Sequence, residues 1–120
     1  MPHRNPHLPT VITCSGASDV GELSDRVGRS FSRSNLAQLE CMAAVGAHDS
    51  KLVDKLRQAK QVLAIDGCAS RCVSKALDNE CIEHYKHLEL GDLGFLKGHS
   101  PATDENVHRA SEAAKVLLGG

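Results

Sequence analysis

The chain has 120 residues, 41% hydrophobic and 24% charged, a balance that points to one globular domain and argues against wholesale disorder. Its formal net charge of −1 gives no general attraction to nucleic acid or to an anionic membrane. No apolar run approaches the roughly 18 residues of a membrane span, and 2% aromatics leave little for base stacking or an aromatic cage.

Residues 1–7 read as a flexible leader without the apolar block of a secretory signal, and residues 8–120 as a single domain. The β-branched run at 8–13 predicts a strand that stops at the small residues Cys14-Ser15-Gly16-Ala17-Ser18. Val20, Leu23, Val27 and Phe31 recur at helical spacing and predict a helix over 19–34, capped by Ser18 or Asp19. Leu36, Leu39, Met42 and Ala43 predict a second helix over 36–45, with Cys41 inside it and Gly46 at its end. A third helix is expected over 50–60, capped by His48 or Asp49.

Val62-Leu63-Ala64-Ile65 is an unbroken apolar run, as in a strand covered on both faces, so 61–66 reads as the second strand. A fourth helix is expected over 69–79, a third strand over 84–90 and a loop over 91–101. Thr103 caps a last helix over 104–118, with Asp104 and Glu105 where the helix dipole favours negative charge. Alternating strands and helices predict an α/β fold, a small and mainly parallel sheet with helices packed on it. Ligands of such sheets bind at the carboxyl ends of the strands. Cys14 and Cys68 both follow strands there, in a weak echo of strand, cysteine, small residues and helix.

The chain has five cysteines. An odd count without an export signal argues for a cytoplasmic protein with metal-binding or reactive thiols, not a disulfide framework. Cys68 and Cys72 are four apart, which puts them on one face if both lie in the first turn of the fourth helix. A tetrahedral zinc with Zn–S of about 2.3 Å asks for sulfurs roughly 3.8 Å apart, within reach of such a pair. Cys14 stands beside Cys68 if the first two strands are neighbours, and Cys41 arrives from the second helix. The four thiols then form a closed, structural type of site. Such a centre is anionic and wants N–H donors and cations, with Arg71 and Lys75 as candidates. Spacing alone leaves three readings open: a metal or cluster site, thiol redox chemistry, and buried thiols acting as small hydrophobes.

The remaining candidates carry less. Asp66 reads as a turn former that accepts from backbone N–H groups beside the site. His84 and His87 would face opposite sides of a strand, which disfavours a joint metal site. His3 and His7 fall in the leader, and His48 reads as a cap or a substitute ligand. Cys81 lies outside the four and reads as an ordinary thiol. No phosphate-binding lysine loop or dinucleotide fingerprint occurs. A phosphatase-type loop at Cys14 would need an arginine where Val20 stands.

The segments Thr13-Cys14-Ser15-Gly16-Ala17-Ser18, Ile65-Asp66-Gly67-Cys68-Ala69-Ser70-Arg71-Cys72 and Asp92-Leu93-Gly94-Phe95-Leu96-Lys97 resemble the DGC-domain family. This is a family of small prokaryotic proteins named for its Asp-Gly-Cys motif, and the resemblance spans roughly 8–116. It implies one Zn²⁺ held by Cys14, Cys41, Cys68 and Cys72, and it carries no assigned catalytic activity. The expected function is therefore zinc binding with a structural, metal-handling or regulatory role. The alternative is thiol redox, or sulfur or electron transfer, through Cys68 and Cys72 or an iron–sulfur cluster. The expected partner is a metal ion, with no nucleic acid and no membrane.

Overall fold

A computed structural model describes residues 7–119, so the first six residues of the expected leader lie outside the described residues. Four strands, β1 (Thr10–Thr13), β2 (Gln38–Glu40), β3 (Val62–Asp66) and β4 (Tyr85–Glu89), form one sheet in the order β2-β1-β3-β4. Every pairing is parallel, with Val11 opposite Leu39 and Leu63, and Ile65 opposite Leu88. The helices among the described residues are α1 (Asp19–Arg33), α2 (Met42–Gly46), α3 (Ser50–Gln58), α4 (Cys72–Asn79) and α5 (Asp104–Leu117). A 3-10 turn at Leu90–Leu93 follows β4. The α/β class and the parallel sheet are as the sequence predicts. No helix among the described residues is long and apolar enough to cross a membrane.

The central strands are apolar on both sides because helices cover both faces. Val11, Leu63, Ile65 and Leu88 meet Val20, Leu23, Val27 and Phe31 of α1 and Ala110 and Ala114 of α5. On the other face Ile12, Val62 and Ala64 meet Val45 of α2, Val53 and Leu56 of α3, and Val73 and Leu77 of α4. Burying each large aliphatic or aromatic side chain contributes about 1.5–3 kcal/mol. Ser18 caps α1 by accepting from Gly21 N–H at 3.1 Å, Asp49 caps α3 and Thr103 caps α5. The first chain reversal sends α1 to one face and the second sends α2 and α3 to the other. The β1–β3 boundary, where the loops after Cys14 and Cys68 diverge, is thus the switch point at which such folds bind ligands.

Two expectations are corrected. Residues 36–45 do not form one helix: Gln38–Glu40 is the edge strand β2, and Cys41 precedes α2 rather than lying inside a helix. Pairing with β1 outweighs the helical spacing of Leu36, Leu39 and Met42. The fourth helix starts at Cys72 rather than near 69, so Cys68 lies in the preceding turn and the shared-face argument for the pair does not apply. Smaller shifts of one or two residues occur at other element ends.

Candidate metal centre at the carboxyl edge

All four cysteines lie at the carboxyl edge of the sheet. Cys14 follows β1, Cys41 follows β2, Cys68 lies two residues past β3, and Cys72 opens α4. Cys14 is held by its backbone N–H donating to the Ile65 carbonyl at 2.9 Å. Cys14 and Cys68 are half-buried, Cys41 and Cys72 are exposed, and all are free thiols. Cys68 packs against the α1/α5 side of the core and Cys14 against the α2/α3/α4 side. Cys41 stands between two surface grooves, of about 290 Å³ toward Arg29 and about 470 Å³ toward Lys51 and Lys55.

Each residue of Asp66-Gly67-Cys68 has a physical task. Asp66 is 1% exposed. Its carboxylate accepts from Val73 N–H at 2.8 Å, Ser74 N–H at 3.3 Å and the Ser74 hydroxyl at 2.8 Å. That is the work of an N-cap, carried out from the strand, because Arg71 at the cap position has no side-chain bond to the helix. Asp66 therefore does hold the turn. At Gly67 an added Cβ would lie 2.8 Å from the Val20 carbon and oxygen, so only glycine lets this turn rest on the α1 backbone. Gly21 is packed as tightly against Gly16, so α1's first turn locks both cysteine loops.

The Cys68 thiol is held below the ordinary thiol range, chiefly by the Ser70 backbone N–H and then by its hydroxyl. Burial opposes this, Lys97 assists it, and Asp66 opposes it more weakly. A thiol favoured as thiolate is both a better metal ligand and a better nucleophile.

The polar groups of β4 register α4. His87 Nε2 donates to Asp66 at 2.8 Å, and its Nδ1 accepts from Arg71 at 3.2 Å. Tyr85 donates to Asp78 at 2.7 Å. Arg71, expected as a counter-charge, instead turns to His87 and lies 4.0 Å from Glu89, with its backbone at φ 53°. Lys97 was not singled out from the sequence, since no local signal links it to the cysteines. His84 meets the Ala59 carbonyl at 3.0 Å, apart from His87. His48 pairs with Glu80, and Cys81 is exposed, away from the four.

In kind, the donors suit a thiophilic ion, being four unpaired thiols at one edge of the sheet. In placement the set is open: among the described residues no three His, Cys, Asp or Glu side chains stand close enough to hold one ion. Sulfurs on exposed Cys41 and on Cys72 in the first turn of α4 must swing inward to close a site.

These features define a small doubly wound α/β protein with a thiol-bearing carboxyl edge. The chain belongs to the DGC-domain family, whose DGC domain matches residues 10–114. It is 36% identical over 90 residues to the Anaerobic and virulence modulator AnvM of Pseudomonas aeruginosa, covering 75% of this chain and 69% of that protein. No solved structure matches it.

Proposed function

We propose that this is a cytoplasmic zinc-binding regulatory module in which Cys14, Cys41, Cys68 and Cys72 hold one Zn²⁺. The observation that carries the reading is the convergence of all four cysteine positions on one sheet edge, three of them after neighbouring parallel strands. When bound, the ion supplies a cross-link between strand ends rather than an open coordination position for chemistry. Cys14 and Cys68 are held by the locked turns, while Cys41 and Cys72 close the set from exposed positions. The modulator role in the relative's name favours regulation over catalysis.

Elemental analysis of untagged protein purified under reducing conditions tests this, with free thiols counted before and after chelator. The expected result is about one zinc per chain, with four thiols becoming reactive on chelation. Cys41→Ser lowers metal content and stability in the same preparation, and a variant unchanged in both sinks the four-cysteine assignment. The lowered Cys68 thiol favours one second reading, thiol redox at Cys68 and Cys72. A metal-free or iron-containing, visibly absorbing protein points there instead.

A further inference from the structure

Lys97 lies on a segment, 94–102, that crosses the start of α1. Asp19, the first residue of α1, accepts from Gly98 N–H and Ser100 N–H, both at 2.9 Å. Further along the same helix Arg26 donates to the Ala102 carbonyl and pairs with Asp104 at 3.2 Å. Phe95, 4% exposed, anchors the other end of the segment in the core. Gly94 and Gly98, at φ 92° and 88°, supply its two sharp turns.

The residue after Asp19 is Val20, whose backbone bears on Gly67. One turn of α1 therefore touches both the Cys68 loop and the segment carrying Lys97. Lys97 itself is exposed and takes part in none of the ion pairs among the described residues.

We propose that segment 94–102 is a strap, latched by Asp19, that holds the Lys97 ammonium at the cysteine edge as counter-charge to the thiolates. The metal role of this charge rests on the zinc reading above, whereas its placement does not. Four thiolates around one divalent zinc leave a net negative centre, which nearby cations and N–H donors stabilise. Arg71 is engaged with His87, and Arg29 and Lys55 beside Cys41 are engaged with Asp25 and Glu40, whereas Lys97 takes part in no ion pair among the described residues. Lys97 directly precedes Gly98, whose N–H is bound by Asp19, the neighbour of the Val20 backbone that meets Gly67.

The test uses the full chain with Lys97→Gln, an exposed change that spares the fold, and Lys97→Arg as rescue. Lys60→Gln serves as a charge-matched control at the opposite end of β3. In reduced, metal-free protein, Cys68 is labelled in parallel with a dianionic and a neutral aromatic disulfide and followed by peptide mass. The ratio of the two rates reports local potential and cancels the thiolate fraction. Lys97→Gln is expected to lower that ratio about threefold at low salt, less as salt rises, with no change at Cys81. Asp19→Asn, which loosens the latch, lowers it in the same direction. Lys97→Arg and Lys60→Gln leave it as in the wild type.

In zinc-loaded protein, Lys97→Gln is expected to speed zinc loss to chelator about tenfold. An unchanged labelling ratio overturns the strap's placement of Lys97, whatever zinc does. A lowered ratio with an unchanged zinc-loss rate overturns the counter-charge role. A ratio lowered by Lys97→Gln, alongside a wild type that takes up no zinc, leaves the strap standing and removes the metal reading.

Discussion

The chain passes twice through strand, cysteine, turn and helix, and it starts the two helices by different means. In the first unit, β1–Cys14–α1, Ser18 lies in the turn and caps α1 through Gly21 N–H. In the second, β3–Cys68–α4, the cap position holds Arg71 in a left-handed conformation, and Asp66 caps from the strand. The first start is written within a few consecutive residues. The second depends on the sheet and, through His87, on a strand that comes later in the chain. A helix capped this way carries Cys72 wherever the sheet places it.

The largest effect that sharpens this contrast is expected from Asp66→Ala. It strands two backbone N–H groups, the Ser74 hydroxyl and His87 in a buried site, at a cost of about 3–5 kcal/mol. Urea unfolding should show a lower midpoint at unchanged slope. Gly67→Ala comes next, at about 2 kcal/mol, because its Cβ meets Val20 backbone rather than a movable side chain. Ser18→Ala should cost about 1 kcal/mol, the usual loss of a local cap. If Ser18→Ala costs as much as Asp66→Ala in the same titration, the contrast between local and tertiary capping is wrong.

The smallest effect concerns pH and the first unit. The Asp19 carboxyl is held below the ordinary carboxylate range, first by Gly98 N–H and then by Ser100 N–H. A carboxyl depressed in the folded state stabilises above its unfolded value and loses that contribution as pH falls through the folded one. The contribution is thus present above about pH 4 and lost below it. Asp19→Asn should flatten the acid-side fall in stability, as followed by melting temperature between neutral and acidic buffer. An unchanged acid limb would show that the strap bonds do not discriminate between the protonation states of Asp19.

What was legible in the sequence follows the same division between local and distant causes. The helices with Ser18, Asp49 and Thr103 at their starts were readable because cap and helix are adjacent in the chain. The doubly covered run Val62-Leu63-Ala64-Ile65 announced a central strand. β2 was hidden because three residues, Gln38-Leu39-Glu40, are too few for a strand period to stand out and gain strand identity from β1. The start of α4 was misplaced because its cap lies five residues upstream of Arg71, in Asp66. Cys14 and Cys68 at the carboxyl edge were readable because each follows a strand run, whereas Cys41 was expected inside a helix and instead follows the hidden β2. Lys97 was not, because its place is set by Asp19, in an element far from it in sequence.

The sheet order β2-β1-β3-β4 also has a meaning in time. A nascent chain emerges N-terminus first, at a few residues per second or faster. Once Cys72 has left the ribosome, β1, β2 and β3 and all four thiols are present, while β4, the strap and α5 have yet to emerge. The edge is then chemically complete but mechanically unfinished. His87 has not reached Asp66, and Asp19 has nothing to latch. Synthesis itself therefore opens an interval in which the thiols are available before the parts that hold them in order.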